Sequence, residues 1–269
     1  MKFTFGIITT HGYEKGIDNL IFSIEKNKIP RSDYEIVVVG GDYVNHFSGI
    51  NIRTFSFDEE DAPEHLKGKW ISRKKNIITE SASFENIVYS LDYMVLEEGW
   101  YDSMCEYGNN WDVLMTKVVD YDGNRFRDWC LRGSWKHNVF VEPDTLNNLV
   151  PYDERRLSKW MYINGSYWLA KREFMLKYPL DENVAWGAGE DVEWSCRITE
   201  AIELQLNESA VVKVNKPKPV YFGHARQEYI DEIYDIVTMN NSVPLPTQEI
   251  NVPRERYFPK PTEPAGPQS

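Results

Sequence analysis

Two adjacent carboxylates, Glu190 and Asp191, follow a Trp-Gly-Ala-Gly run in NVAWGAGEDVEWSCRI, residues 183 to 198. Carboxylates are favoured at a helix start by the positive end of its dipole, so the pair could be an N-cap and first-turn charge. The chemical alternative is a carboxylate held at the lip of a pocket as a general base. Gly187 and Gly189 permit a tight turn or close approach to a ligand, and Trp186 offers a flat wall of the kind that stacks on sugar rings. Asp92, in YSLDYMVL, stands just beyond an apolar stretch, where a hard divalent cation and a diphosphate could meet it; an Asp that begins a turn would stand there too. In GKWISRKKN, Lys69, Arg73 and Asn76 recur at i, i+4 and i+7 and share one helix face, with Trp70, Ile71, Ile77 and Ile78 free to look inward. That face suits a polyanion such as a nucleotide diphosphate, or plain solvation. His224, in VYFGHAR, is either a ligand or a hydrogen-bonded packing residue.

These residues need elements to position them. FTFGII (3 to 8) and IVVV (36 to 39) read as apolar strands of a sheet covered on both faces. Between them Ile17, Leu20, Ile21 and Ile24 mark an amphipathic helix. A weak strand around 50 to 57, a helix near 66 to 81 and a buried strand within ENIVYSLDYMVL continue the alternation. Such alternation builds a mostly parallel sheet with ligand sites at the carboxyl ends of its strands. Further on, VLMTKVV, YDGN and RFRDW read as a hairpin, KWMYINGSYWLA as one strand, and VVKV with PVYFGH as the last sheet elements. Half of the 14 prolines fall in the last 27 residues, so 243–269 is expected to be an extended or disordered tail without chemistry.

Forty-two acidic against 30 basic residues give a formal charge of −12, which argues against nucleic acid as a partner. Cys105, Cys130 and Cys196 form no CxxC pair, so a reduced, cytoplasmic setting is expected. No stretch approaches the roughly 20 apolar residues of a membrane span.

The order of these motifs is recognisable. An opening strand and helix, VVGGD (38 to 42), GKWISRKKN, a strand ending at Asp92, Asn164-Gly165-Ser166, WGAGED and a late His resemble the glycosyltransferases of the GT-A fold, particularly inverting family 2-like enzymes, over roughly residues 1 to 226. WGAGEDVEW also looks like the Trp-Gly-Gly-Glu-Asp region of the β-1,4-galactosyltransferases. The resemblance implies one Rossmann-like α/β domain with a mixed central sheet over 1–242, its nucleotide-binding half 1–100 and its acceptor-binding and catalytic half 101–242.

It further implies a nucleotide-diphosphate sugar donor, a UDP-sugar favoured, and a glycan or other hydroxyl acceptor. Asp191 would be the base and Glu190 would hydrogen-bond a sugar hydroxyl. Thr9 and Asp42 would meet the nucleoside; Arg73, Lys75 and Asn76 the ribose or phosphates; Asn164, Gly165 and Trp186 the donor sugar. Asp92 and His224 would hold a divalent metal, Mn2+ favoured over Mg2+. Ser90-Leu91-Asp92 stands where many members carry Asp-x-Asp, so one carboxylate of that motif is missing. The aromatic and basic segment from Asp120 to Trp160 is expected to meet the acceptor. Two other classes compete: a sugar nucleotidyltransferase, which would normally carry a Gly-rich, Arg-containing loop where TTHGYE stands, and a non-catalytic sugar- or nucleotide-binding module. A retaining transferase on the same fold would need no base at Asp191.

Overall fold

The computed structural model describes residues 1–10, 13–57, 62–68, 70–132, 147–199, 201–218, 223–228, 230–231 and 233–235. The proline-rich tail, Lys69 and GSWKHNVF lie outside the described residues.

An eight-stranded mixed sheet organises the chain. Strands β1 (Phe3–Ile8), β2 (Tyr34–Val39), β3 (Ile52–Phe55) and β4 (Asn86–Leu91) are parallel, with β1 between β2 and β4. The other four are β5 (Met94–Leu96), β6 (Val113–Val119), β10 (Tyr167–Lys171) and β11 (Gln205–Val214), giving the order β3-β2-β1-β4-β10-β6-β11-β5. β10 runs antiparallel to β4 and β6, whereas β6 and β11 are parallel. A second sheet joins β7 (Cys130–Arg132), β8 (Asn147–Leu149) and β9 (Met161–Tyr162) in the order β8-β7-β9.

Strand periodicity explains the two cores. Phe3, Phe5, Ile7, Ile36 and Val38 point to one face of the sheet, where helix α1 (Glu14–Lys26) lays down Ile17, Leu20, Ile21 and Ile24, and α3 (Trp100–Tyr107) adds Trp100 and Met104. Ile8, Val37 and Val39 point to the other, against Ile71 and Ile78 of α2 (Ile71–Ser81), Phe174 and Met175 of α4 (Arg172–Lys177), and Trp194 and Ile198 of α5 (Glu190–Ile198). Both faces are covered, hence the unbroken apolar runs.

Three sequence expectations change. The helix expected near 66 to 81 starts at Ile71, after a single tight turn at Glu64–Leu66. RFRDW begins to return as a hairpin arm, with an antiparallel bridge from Val119 to Arg125 and Phe126 N donating to Val118 O at 2.8 Å, but then wraps around the buried Asp128. That carboxylate takes hydrogen bonds from Val118 N (3.2 Å), Arg125 Nε (2.9 Å) and the Tyr152 hydroxyl (2.7 Å), and so replaces ladder pairing. KWMYINGSYWLA forms two strands. Asn164 makes the break, its side chain accepting from Ser166 N (2.9 Å) and its carbonyl from Tyr167 N (3.1 Å).

This topology gathers one edge. Because β10 is antiparallel to β4, the residues just before it, 164 to 166, meet the carboxyl end of β4, and Leu91 N donates to Ser166 O at 2.9 Å. β11 runs in the same sense as β4, so 215 to 218 leave the sheet at that edge too; Asn215 N donates to Tyr93 O at 2.7 Å. Among the described residues no helix is long and apolar enough to cross a membrane.

Candidate functional site

Glu190 and Asp191 are the first residues of α5. Gly189 precedes them in the left-handed region at φ 79°, and Gly187 lies there too at φ 84°, conformations open to glycine at little cost. Two serine bonds clamp the helix: Ser195 Oγ donates to Asp191 O at 2.6 Å and accepts from Ile163 N at 3.0 Å. The carboxylates are therefore held against the turn at 164 to 166.

There Gly165 N donates to Asp191 Oδ2 at 2.9 Å, and Val192 N to Asp191 Oδ1 at 2.9 Å. A Cβ on Gly165 would come within 2.8 Å of Asp191 Oδ2 and 3.2 Å of Glu190 Oε1, so the approach needs a residue without a side chain. Lys75, wholly buried, reaches Glu190 Oε1 at 3.3 Å. Burial, and then the charge of Glu190, push the Asp191 carboxyl up to about 6, against the pull of Lys75 and the two backbone N–H groups. A carboxylate with that pKa is poised to accept a proton near neutral pH.

A second cluster stands at the ends of β1 and β4. Thr9 Oγ1 donates to Asp92 Oδ2 at 2.7 Å, and Asp92 N to Ile8 O at 3.2 Å. Burial raises the Asp92 pKa; the Thr9 hydroxyl, Lys216, Thr10 and Lys74 oppose that rise. Lys74, buried in the same helix as Lys75, donates to Thr9 O at 3.2 Å and lies over the Phe57 ring. The clusters are linked through Tyr93, whose hydroxyl is 3.2 Å from Ser166 Oγ.

The buried face of α2 carries Ile71, Lys74, Lys75 and Ile78, at i, i+3, i+4 and i+7, so Lys74 and Lys75 turn toward the sheet, and Asn76 is buried beside them. Arg73 pairs with Glu80 (2.9 Å) and Glu182 (3.1 Å). Asn76 is a brace, donating to Leu180 O at 3.0 Å and Glu182 Oε1 at 2.9 Å and accepting from Leu180 N at 3.1 Å. Asn164 turns its amide to Arg127 O and Ser166 N. Trp186 is 60% exposed on the loop before α5, and Asp42 is exposed beyond β2. His224 is exposed and bridges Leu149 through its backbone.

For a divalent ion the donor set is sparse. Among the described residues no group of three or more His, Cys, Asp or Glu side chains could hold one, and no hydrogen bond or ion pair joins His224 to Asp92. Asp92 is a hard oxygen donor at the right edge, and one carboxylate suffices for an ion whose other ligands are diphosphate oxygens and water. In that substrate-completed form the residues fit. Lys74, Tyr93, Ser166, Lys216 and Lys218 stand at the same edge through their contacts with Thr9 and with one another, and spacing alone did not single them out. The buried stripe of α2 carried the signal for Lys74.

No family model matches the chain, and no curated protein matches it. Solved structures do. S. aureus TarS 1-349 in complex with UDP-GlcNAc is 13% identical, with a TM-score of 0.55 over 90% of this chain and 73% of that one. GalNAc-T7 with UDP, GalNAc and Mn2+ is 14% identical, with a TM-score of 0.54 over 88% of this chain and 48% of that one. The mannosyltransferase PcManGT from Pyrobaculum calidifontis, in complex with GDP-Man and Mn2+, is 13% identical, with a TM-score of 0.51 over 82% of this chain and 58% of that one. At these identities the likeness is one of architecture, and the architecture is the Rossmann-like GT-A fold with its mixed central sheet.

Proposed function

We propose that the chain transfers a sugar from a nucleotide-diphosphate donor, a UDP-sugar favoured, to an acceptor hydroxyl with inversion at the anomeric carbon. The observation that carries this reading is the Asp191 carboxylate, locked by Gly165 N–H at 2.9 Å beside Glu190 at the carboxyl edge of a GT-A sheet, where burial favours its taking a proton.

Asp191 takes the proton of the acceptor hydroxyl as its oxygen attacks the anomeric carbon. The bond from that carbon to the donor phosphate oxygen breaks on the opposite face, and the electron pair leaves with the nucleoside diphosphate. Lys75 holds Glu190 beside the base, where Glu190 can accept from a sugar hydroxyl. Gly165 keeps the base in place, and Trp186 walls the sugar. Thr9 and Asp42 stand at strand ends suited to the nucleoside, and Lys74, a neighbour of Thr9, adds positive charge there. A divalent metal held through Asp92, with His224 as a second ligand and Mn2+ favoured, would neutralise charge on the departing diphosphate. Arg73, Asn76 and Asn164, engaged in the fold, act by holding the site's walls. The acceptor would approach from the segment between Asp120 and Trp160.

The test is turnover. Purified protein is incubated with UDP- and GDP-sugars and a panel of hydroxyl acceptors, with release of free nucleotide measured and product configuration read by NMR. Acceptor-dependent release with inverted product is expected. Retained configuration, or an Asp191→Asn variant with near-native turnover, would remove Asp191 as the base.

A further inference from the structure

Just past β11 the chain reads Asn-Lys-Pro-Lys-Pro, residues 215 to 219, and its two lysines close on a single tyrosine. Lys216 Nζ lies 3.9 Å from the centre of the Tyr93 ring; Lys218 Nζ lies 4.0 Å from it and donates to the Tyr93 hydroxyl at 2.7 Å. Neither lysine has a carboxylate within ion-pair distance among the described residues. Arg127 brings a third positive charge close enough to act on both Tyr93 and Lys218. The three cations gather in a chain whose formal charge is −12. Tyr93 itself is nearly buried, follows Asp92 and contacts Ser166, so the group sits between the strand-end carboxylate and the turn that holds Asp191.

Like charges do not collect on a half-buried surface without cost. Burial, and then Arg127, bring the Lys218 ammonium down to about 8, so its charged form is disfavoured there. An anion arriving there would offset the Arg127 charge and favour the charged form of Lys218. The pair selects the anion: two ammonium groups converging on one tyrosine call for a ligand with several negative charges close together, which two linked phosphates supply and one carboxylate does not.

We infer that Lys216 and Lys218, presented by Tyr93, are the diphosphate clamp of this site, and that they neutralise the leaving group directly enough to hold a diphosphate when divalent metal is removed. This deepens the proposed sugar transfer and rests on it for the identity of the donor, but the clamp makes its own demand on the chemistry. The bond that breaks leaves its electron pair on the outer phosphate oxygen, and the two ammonium groups receive that charge without a proton changing hands.

The experiment is calorimetric titration of inorganic pyrophosphate and of UDP, side by side, in buffer containing EDTA. The proteins are wild type, Lys216→Gln, Lys218→Gln, the double variant and Lys218→Arg, with folding checked by circular dichroism and melting temperature. Metal-free binding of both ligands by wild type is expected, with each glutamine weakening both about tenfold, equivalent to about 1.4 kcal/mol, and Lys218→Arg retaining most of the affinity. Binding should also fall as salt is raised. Equal affinities in wild type and the folded double variant, or no metal-free binding of pyrophosphate by wild type, would overturn the clamp. The nucleotide arm separates the two ideas: if pyrophosphate binds through the lysines but UDP binds no more tightly, the clamp stands and the nucleotide-sugar reading fails. If UDP binds only with Mn2+ and ignores the lysines, the clamp fails and the sugar-transfer reading stands.

Discussion

At the residue scale the site depends on how charge is held around Asp191. Removing its basicity while keeping its shape, in Asp191→Asn, should lower turnover about a hundredfold or more with donor affinity little changed, read as kcat against nucleotide Kd. The pH dependence has a definite sign. The carboxyl is raised from 3.8 to about 6, so the base is protonated below that value and turnover should rise with pH through about 6. The same shift makes the folded protein keep a proton that the unfolded chain has lost between those two values. The stabilisation this confers is complete at low pH and disappears as pH rises through about 6. Lys75 lowers the Asp191 pKa, so Lys75→Met should move the acidic limb of the profile upward. It also leaves Glu190 buried without its cation, a loss of about 3 kcal/mol or more in urea unfolding. An unmoved limb in a folded Lys75→Met protein would mean that its charge does not govern the base.

Helix α2 and the segment it braces set the geometry at the element scale. Asn76 ties the helix to Leu180 and Glu182, Ser72 Oγ donates to Val184 O at 3.1 Å, and Trp70 Nε1 donates to Glu182 O at 2.8 Å. These bonds hold the approach to Trp186 and to α5, so Asn76→Ala should cost about 1–3 kcal/mol in chemical denaturation and loosen the site without touching its chemistry. Gly165→Ala tests the turn before β10 in the opposite way. Its methyl would press on Asp191 Oδ2 and Glu190 Oε1, so turnover should fall at least about tenfold while the melting temperature moves little, because the clash is with side chains at the edge of the core. Native kcat in Gly165→Ala would show that the N–H contact to Asp191 is not needed in that geometry.

On the scale of the whole molecule, strands from both ends of the chain meet in one sheet, and ligand binding at its carboxyl edge should couple to global stability. A nucleoside diphosphate at a hundred times its Kd should stabilise the fold by about 2.7 kcal/mol, a rise of about 5–10 °C in melting temperature for a domain of this size. Thermal shifts with UDP, GDP, dTDP and CMP, each with and without Mn2+, check this and rank the bases. No shift with any of them would sink the donor reading. The core behind the site makes its own demand: Trp168, fully buried, stacks on Tyr89 with ring centres 4.3 Å apart and also packs on Trp194 of α5. Trp168→Ala should therefore cost about 3–5 kcal/mol in unfolding and disturb the base from behind.

What the sequence determined by itself was periodic or local. The apolar runs at β1, β2 and β4 and the i, i+3, i+4, i+7 stripe of α1 each report burial through a repeat that a linear chain displays. The glycines before Glu190 and Asp191 likewise announce a turn into a helix from nearest neighbours alone. Contacts across long separations were decided only in three dimensions. Lys75 and Glu190 are 115 residues apart, and Lys218 and Tyr93 are 125 apart. Their meeting depends on β10 entering antiparallel beside β4 and on β11 ending at the same edge, a choice of strand order that no local pattern encodes. Arg73 and Asn76 show the same limit from the other side. Helical spacing says which residues share a face, but only packing against the sheet and the 180 to 184 segment says which of them are buried and with what they pair.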